Sequence, residues 1–368
     1  MVSDNLLDSL SYPDTDGTAE QIIRKGDARG LPLEDACVDL VFTSPPYWRK
    51  RDYGHDDQIG QESTPEEYVE SLMAALDEWK RVLRKSGTIL LNIGDKFQET
   101  SRIGLPWKVA EAARNRGWRV RSEIVWHKPN GMPTPVRDRF NTRHEYIFHL
   151  APEGDYYFDK FGFESVYDDP VDVWRIRHDR NEKHLAPFPE ELVRRGLIAA
   201  CPPAVCEFCG QPQERIVEKL PTQLNSDRPQ ARRAMERFEE SDLDEEHLKA
   251  IQAVGIADAG KGRVVQNGTG ANSDDVVERA EEAKEVLGGY FREFTFPEKT
   301  TVGWTECECE DPHTIPGTVL DPFAGSGTTI EVAEELGLSA AGIDIDPPDD
   351  LNRFVESEPV EDLSRFSE

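Results

Sequence analysis

Positive charge is scarce in this chain. Its 368 residues carry 43 lysines and arginines against 72 aspartates and glutamates, a formal net charge of −29. Taken alone, that balance argues against nucleic-acid binding, which wants a basic face. The distribution admits another reading. The acidic residues are spread along the whole chain rather than confined to a tail, and lysine is the rarer base, 14 against 29 arginines. Such a surface suits a cytoplasm at molar salt, as in extreme halophiles. Phosphate contacts lose affinity steeply as salt rises. Any nucleic-acid-binding protein working there must lean on base-edge hydrogen bonds, stacking and shape.

Long apolar runs are missing too. No run of about 18 apolar residues occurs, so no membrane span is expected. The segment MVSDNLLDSLSYPD lacks the basic and apolar blocks of a secretory signal, and the expectation is a cytoplasmic protein. There is no internal repeat and no long low-complexity tract. Cysteine is sparse, at six residues. In a reducing compartment disulfides are not expected. Cys37 and Cys201 read as core thiols, whereas the clustering of the other four points to metal. The hydrophobic share, 37%, still allows a substantial core. The length suits one large domain with an insertion, or two domains.

What is present alternates strand with helix. Strands are expected over 19–27, 37–43, 87–95, 119–129, 144–152, 318–323 and 338–346, with 119–129 and 144–152 forming an antiparallel pair. Helices are expected over 66–84, with Tyr68, Leu72, Leu76, Trp79 and Leu83 on one stripe, and over 106–116, 187–200 and 328–337. Ser86-Gly87 would end the first of these, and a proline would sit in the first turn of the third. The alternation implies an α/β fold with a mostly parallel sheet. Between 201 and 312 the character changes. Residues 221–285 are rich in charge and poor in large apolar residues, as in a partly helical inserted module.

Two loops carry chemistry. DPFAGSGTT at 321–329 follows a strand and opens a helix. Gly325 and Gly327 allow tight turning and close approach of backbone to a ligand. Asp344 ends the next strand, where an acid can accept hydrogen bonds from ribose hydroxyls. The loop lacks the lysine of a triphosphate-binding loop. An adenosine with a compact charged tail fits better. TSPPYW at 43–48 ends a buried strand. Pro45 and Pro46 stiffen the backbone and remove two donors. Ser44 Oγ and the Pro45 carbonyl can then accept the hydrogens of an amino group on a planar base, and Tyr47 can stack on a base flipped from the duplex.

Cys206-Glu207-Phe208-Cys209-Gly210 has the spacing of a zinc knuckle, and Cys307 and Cys309 can supply the other pair. Four thiolates would make one closed, structural zinc site. Arg49 and Arg51, beside the proline loop, and Arg137, Arg139 and Arg143 form local basic islands suited to DNA contact.

Together, DPFAGSGTT and TSPPY resemble the amino-methylating DNA methyltransferases. The proline loop comes first and the glycine loop last, a circular permutation similar to the beta group of that family. Gly26-Asp27-Ala28 resembles the block whose acid contacts the cofactor adenine. GTILLNIGD and WHKPNGMPTPVRDR resemble central blocks. KHLAPFPEEL resembles the block that covers the cofactor, with Phe188 and Pro189 near it. The resemblance covers about 19–200 and 316–346. It implies a Rossmann-like, S-adenosyl-L-methionine-dependent enzyme acting on double-stranded DNA. Asp321, Pro322, Phe323, Ser326 and Thr328 would join the glycines, Asp27, Phe188 and Asp344 at the cofactor, and Ser44, Pro45, Pro46 and Tyr47 would be catalytic. Serine before PPY is typical of cytosine-N4 enzymes, and aspartate of adenine-N6 ones. C5 methylation needs a cysteine nucleophile, and no proline-cysteine loop occurs.

The implied organisation is a catalytic part over 1–200, with 129–182 as candidate target-recognition segment. An inserted zinc-anchored module follows over 201–312, then the cofactor part over 313–368. After GIDID, two prolines interrupt the long helix usual in the family. The chain also looks like stand-alone haloarchaeal N4-cytosine methylases. Adenine N6 and an RNA amino group remain alternatives, as does a zinc-anchored DNA-binding protein with a dead active site. A cognate restriction endonuclease as partner, and the oligomeric state, stay open.

Overall fold

The computed structural model describes residues 5–131, 136–167, 170–178, 189–219, 229–255, 273–295 and 299–347. They fall into two compact units, residues 1–215 with 304–368, and residues 216–303.

The first unit is built on eight strands: Gln21–Lys25 (β1), Val38–Thr43 (β2), Leu83–Ile93 (β3), Arg119–His127 (β4), His144–Ala151 (β5), Val173–Arg175 (β6), Thr318–Asp321 (β7) and Ser339–Asp344 (β8). In space their order is β1-β8-β7-β2-β3-β5-β4-β6. The first five in that order run parallel. β5 is antiparallel to both its neighbours, and β6 is parallel to β4. This is the mostly parallel α/β sheet expected, and the antiparallel pair is the one read from 119–129 and 144–152.

Helices Pro65–Val82 (α1), Leu105–Asn115 (α2), Glu190–Ala200 (α3) and Thr328–Glu335 (α4) cover the sheet. Alternate strand residues face opposite sides. Val41, Ile89 and Leu91 pack with Leu72, Leu76 and Trp79 of α1 and Val109 of α2. Leu40, Phe42 and Leu90 pack with Leu192 and Leu197 of α3 and Ile330 of α4. α1 begins where its residues direct. Thr64 and Glu67 cap each other's backbone N–H groups, and Pro65 holds the first helical position.

Two boundaries differ most from expectation. α1 stops at Val82, and β3 starts at once at Leu83 rather than at Gly87. Leu83 is drawn into the sheet opposite Val38. The next residue, Arg84, turns inward to the buried Asp39, Nη1 to Oδ2 at 2.8 Å. The same carboxylate oxygen accepts the Thr318 N–H at 2.8 Å. α3 starts at Glu190, and Pro189 is its extended N-cap rather than a first-turn residue. Residues 187 and 188 of the helix expected there lie outside the described residues.

The strand order creates a crevice. From β2 the chain passes through α1 to β3 on one side, and from β7 through α4 to β8 on the other. β2 and β7 are neighbours, so their loops diverge at the carboxyl edge, the place where open α/β sheets bind ligands.

In the second unit, helices Pro229–Glu239, Glu245–Val254, Asp274–Leu287 and Arg292–Thr295 enclose Ala234, Ile251, Ala283, Leu287 and Phe294. The chain enters and leaves it through the paired strands Arg215–Lys219 and Lys299–Trp304. The four clustered cysteines lie in the first unit. Among the described residues no helix is long and apolar enough to cross a membrane.

Removing one partner of a buried ion pair leaves the other charge unpaired. Arg84→Ala is therefore expected to cost about 3–5 kcal/mol, read from urea denaturation in molar potassium chloride. An unchanged unfolding midpoint would refute the role given to the pair.

Candidate active site

β2 delivers Thr43 into the crevice, and Ser44, Pro45, Pro46 and Tyr47 follow. The loop is braced from outside by the buried Trp48, whose Nε1 donates to the Glu62 carbonyl at 2.9 Å. Ser44 Oγ lies 3.2 Å from the Tyr47 hydroxyl. That hydroxyl donates to Glu145 Oε2 at 2.9 Å. Asn92, at the end of β3, clamps all three groups. Its Nδ2 donates to Ser44 Oγ at 3.2 Å, to the Tyr47 hydroxyl at 2.9 Å and to Glu145 Oε2 at 3.1 Å. The other Glu145 oxygen pairs with Lys128 Nζ at 2.5 Å.

Burial alone would raise the Glu145 carboxyl, but Lys128, with Lys50 and Asn92, holds the group below its ordinary value. Burial, reinforced by Glu145, pushes the Tyr47 hydroxyl well above its usual range. Tyr47 therefore stays a neutral donor. The stacking role expected for it is restricted. Its hydroxyl is committed to Glu145, and Lys50 Nζ sits 4.6 Å from the ring centroid on one face.

The glycine loop meets this loop through Asp321, at the end of β7. Its Oδ1 accepts from Thr43 Oγ1 at 2.6 Å and from the Phe323 N–H at 3.1 Å. Its Oδ2 accepts from Thr329 Oγ1 at 2.7 Å. Burial raises the carboxyl to about 6. Asp321 thus holds the loop together through its own side chain. Gly325 and Gly327 have φ of 52° and 77°, and Gly327 caps α4. The Gly325 N–H donates to Asp344 Oδ2 at 2.8 Å, tying the loop to the end of β8. Ser326 and Thr328 hydroxyls lie 3.1 Å apart. Asp27, just after β1, is held by the Arg29 guanidinium at 2.6 Å, which lowers its carboxyl.

Both loops open into one cavity of about 460 Å³. Ser44, Pro45, Pro46 and Tyr47 line one part of it, and Asp321, Pro322, Phe323, Gly325, Ser326 and Thr328 another, with Asp27 and Asp344 at the same space. Gly327 acts as a cap and does not line the cavity. Phe188 lies outside the described residues. Asn92, Trp126, Lys128 and Glu145 also line the cavity, and no motif in the sequence gives any of them a role. The signal was faint: one polar residue at the end of an apolar strand, and one acid opening the next.

The arginines divide. Arg51 lines the cavity. Arg49 sits at φ 47° and donates through Nε to the Glu62 carbonyl at 3.2 Å. Arg137 and Arg139 are exposed, and the Arg139 guanidinium lies 3.6 Å from the Phe97 ring centroid. Arg143 donates to the Pro129 carbonyl at 3.1 Å.

Away from this cavity, the sulfurs of Cys206, Cys209, Cys307 and Cys309 all lie within 4.8 Å of one another. Cys206 closes the strand Ala204–Cys206, which pairs with Thr314–Pro316. Its carbonyl accepts the Gly210 N–H at 2.8 Å, forming the knuckle turn. Burial would raise the Cys206 thiol, but N–H groups of Cys209 and Phe208 and the Cys307 thiol bring it down to about 7.

A family model described as DNA methylase, of N6 and N4 type, matches residues 38–204 and 312–348. This chain belongs to the DNA methylase family. The two matched stretches contain both loops, and the gap between them contains the second unit and the four clustered cysteines. Among curated relatives, the type II methyltransferase M.Cfr9I of Citrobacter freundii is 34% identical over 230 residues, spanning 51% of this chain and 72% of that one. The type II methyltransferase M.SmaI of Serratia marcescens is 34% identical over 217 residues, spanning 48% and 74%. Among solved structures, the PvuII DNA methyltransferase, named as cytosine-N4-specific, shares the fold. Its TM-score is 0.51 at 13% identity, and the alignment covers 95% of this chain and 94% of that one.

The Asp321 carboxyl titrates at about 6 in the folded methylase, against about 3.9 in an unfolded chain. The folded state holds this proton the more tightly. The resulting stabilisation is full below about pH 4 and is lost as pH rises towards 6, by roughly 2–3 kcal/mol. Asp321→Asn is expected to lack that loss, so the stability of wild type relative to variant should fall across this window in parallel urea titrations. A constant difference would contradict the protonation assigned to Asp321.

Proposed function

We propose that this DNA methylase transfers a methyl group from S-adenosyl-L-methionine to N4 of a cytosine flipped out of double-stranded DNA. The observation that carries the reading is the meeting of the Ser44 loop and the glycine loop in one cavity at the reversal of the strand order. The volume falls in the range of small-ligand sites. Asp344 and Asp27 present carboxylates for the hydroxyls and the adenine of the cofactor, and the turn at Gly325 lets backbone approach it closely. The bound cofactor supplies an electrophilic methyl on a sulfonium, and no covalent enzyme intermediate is required.

The protein's own groups do the positioning, which is most of such catalysis. Ser44 Oγ and the Pro45 carbonyl accept the amino hydrogens. The prolines offer no competing donor. Asn92 fixes Ser44, and the Lys128 ammonium balances the Glu145 charge. Trp126 supplies an aromatic wall, with Lys128 Nζ 3.9 Å from its ring centroid. Serine in place of aspartate before PPY favours cytosine N4 over adenine N6. The proline loop precedes the glycine loop along the chain, the permuted order of the beta group. Arg51, Arg137 and Arg139 are the proposed DNA contacts, with 129–182 in target recognition. The acidic surface fits work in molar salt, inside the cell, with or without a partner restriction endonuclease.

We also propose one structural zinc ion at the four cysteines. Tetrahedral zinc with sulfur at about 2.3 Å places its sulfurs roughly 3.8 Å apart. The Cys206 and Cys309 sulfurs are 3.9 Å apart, so the cluster fits with little adjustment. The ion would pin both ends of the 210–306 excursion beside the strand that leads into β7.

The test of the reaction uses purified protein in molar potassium chloride with unmethylated genomic DNA and methyl-labelled S-adenosyl-L-methionine. Nucleoside mass spectrometry is expected to show N4-methylcytosine, and Ser44→Ala to lower turnover by at least tenfold with cofactor affinity retained. N6-methyladenine would keep the enzyme and discard the inference from Ser44. Transfer to neither base would overturn the reading. For the metal, elemental analysis should find one zinc per chain, and chelation should lower the melting temperature. A metal-free preparation with an unchanged melting temperature would end the idea.

A further inference from the structure

Methylating an amino nitrogen leaves a proton to dispose of. Resting on the amino-methyltransferase reading, we infer that Glu145 is the terminal acceptor of that proton, reached through Ser44 and Tyr47.

The chain of contacts is continuous. Ser44 Oγ and the Tyr47 hydroxyl are 3.2 Å apart, and the Tyr47 hydroxyl and Glu145 Oε2 are 2.9 Å apart. Asn92 can only donate through Nδ2, and its two hydrogens are shared among the three oxygens of the series. Those bonds direct the movable protons one way. With its lone pair engaged by Asn92, the Tyr47 hydroxyl points its own hydrogen at Glu145. Ser44, also accepting from Asn92, turns its hydrogen to Tyr47 and keeps a lone pair for the base.

The balance is simple. The nitrogen–methyl bond forms as the sulfur–methyl bond breaks, and the nitrogen becomes formally positive. One N–H bond then breaks towards Ser44 Oγ. The serine proton moves to Tyr47, and the tyrosine proton moves to Glu145. Serine and tyrosine are restored, and the proton rests on a neutral carboxyl that reprotonates solvent between turnovers. Tyrosine is never an isolated phenolate in this shift, in keeping with its raised pKa. Glu145 does not touch the base, and acts through the two hydroxyls.

The surroundings suit an acceptor that starts ionised. Lys128, just after β4, pairs with Glu145 at 2.5 Å, and Lys50 beyond the proline loop adds a second cation. Tyr47 is a further titratable contact, and the Glu145 charge also acts on His144. His144 precedes Glu145 on its own strand and pairs across the ladder with His127. The carboxyl is buried and held below its ordinary value, so it is free of a proton at neutral pH.

The test compares wild type with Glu145→Gln, which keeps the oxygen facing Tyr47, and with Lys128→Met. Single-turnover rates are followed against pH in molar potassium chloride on unmethylated genomic DNA. Carboxyl carbons of glutamate-labelled free protein are titrated by NMR, with Glu145 assigned by its loss in the Gln variant. Glu145→Gln is expected to slow transfer by about 10²–10⁴-fold, to flatten the acid limb of the profile and to leave S-adenosyl-L-methionine affinity within twofold. Lys128→Met should move both the acid limb and the Glu145 titration upward by about 1–3 pH units. A Gln variant that keeps the wild-type acid limb would overturn the relay while leaving the enzyme reading intact. So would a Glu145 resonance that does not respond to loss of Lys128. Wild-type protein that transfers no methyl at all fails the enzyme reading itself.

Discussion

The Asp321 carboxylate is the constraint on which the site depends. It receives hydroxyls from Thr43 and Thr329 and an N–H from Phe323. One bond fastens the end of β2, the residue before Ser44. The other two fasten the glycine loop and the first turn of α4. A single buried acid therefore sets the separation between the Ser44 loop and the glycine loop. Buried polar networks of this kind are strong when every member is satisfied. The cost of burying the carboxyl is visible in its raised pKa.

Around that junction the sheet does the coarse positioning. The reversal of strand order between β7 and β2 leaves their loops without a crossing helix above them. β8 and β1 add Asp344 and Asp27 on one side, and β3, β4 and β5 add Asn92, Lys128 and Glu145 on the other. Each functional side chain sits at the same edge because β4 runs parallel to β3 while β5 enters from that edge. The antiparallel β5 is what brings a carboxylate to the loop from a different direction. In a chain of such negative charge, Glu145 stays ionised because Lys128, just after the adjacent strand β4, pairs with it.

Much of the fold was legible from local pattern. Short, largely apolar runs marked β2, β3, β7 and β8, and the stripe Tyr68, Leu72, Leu76, Trp79 marked α1. The two largest errors of boundary have different causes, and neither lies in the apolar pattern. The end of α1 was set by Arg84 reaching Asp39, a partner 45 residues away, and the start of α3 by the extended backbone of Pro189. Helix ends decided by a distant charge or by a single dihedral leave little trace in periodicity.

By itself, the sequence determined the loops and their chemistry. A Pro-Pro turn after a buried strand, glycines at a strand–helix junction and paired cysteines act through local backbone geometry, and local geometry is written in neighbouring residues. The tertiary structure decided which groups act together. Thr43 meets Asp321 across 278 positions, and Tyr47 meets Glu145 across 98. No period or spacing encodes such distances. They follow from the order in which the strands assemble, because only the assembled sheet brings the carboxyl end of one strand to the opening of another.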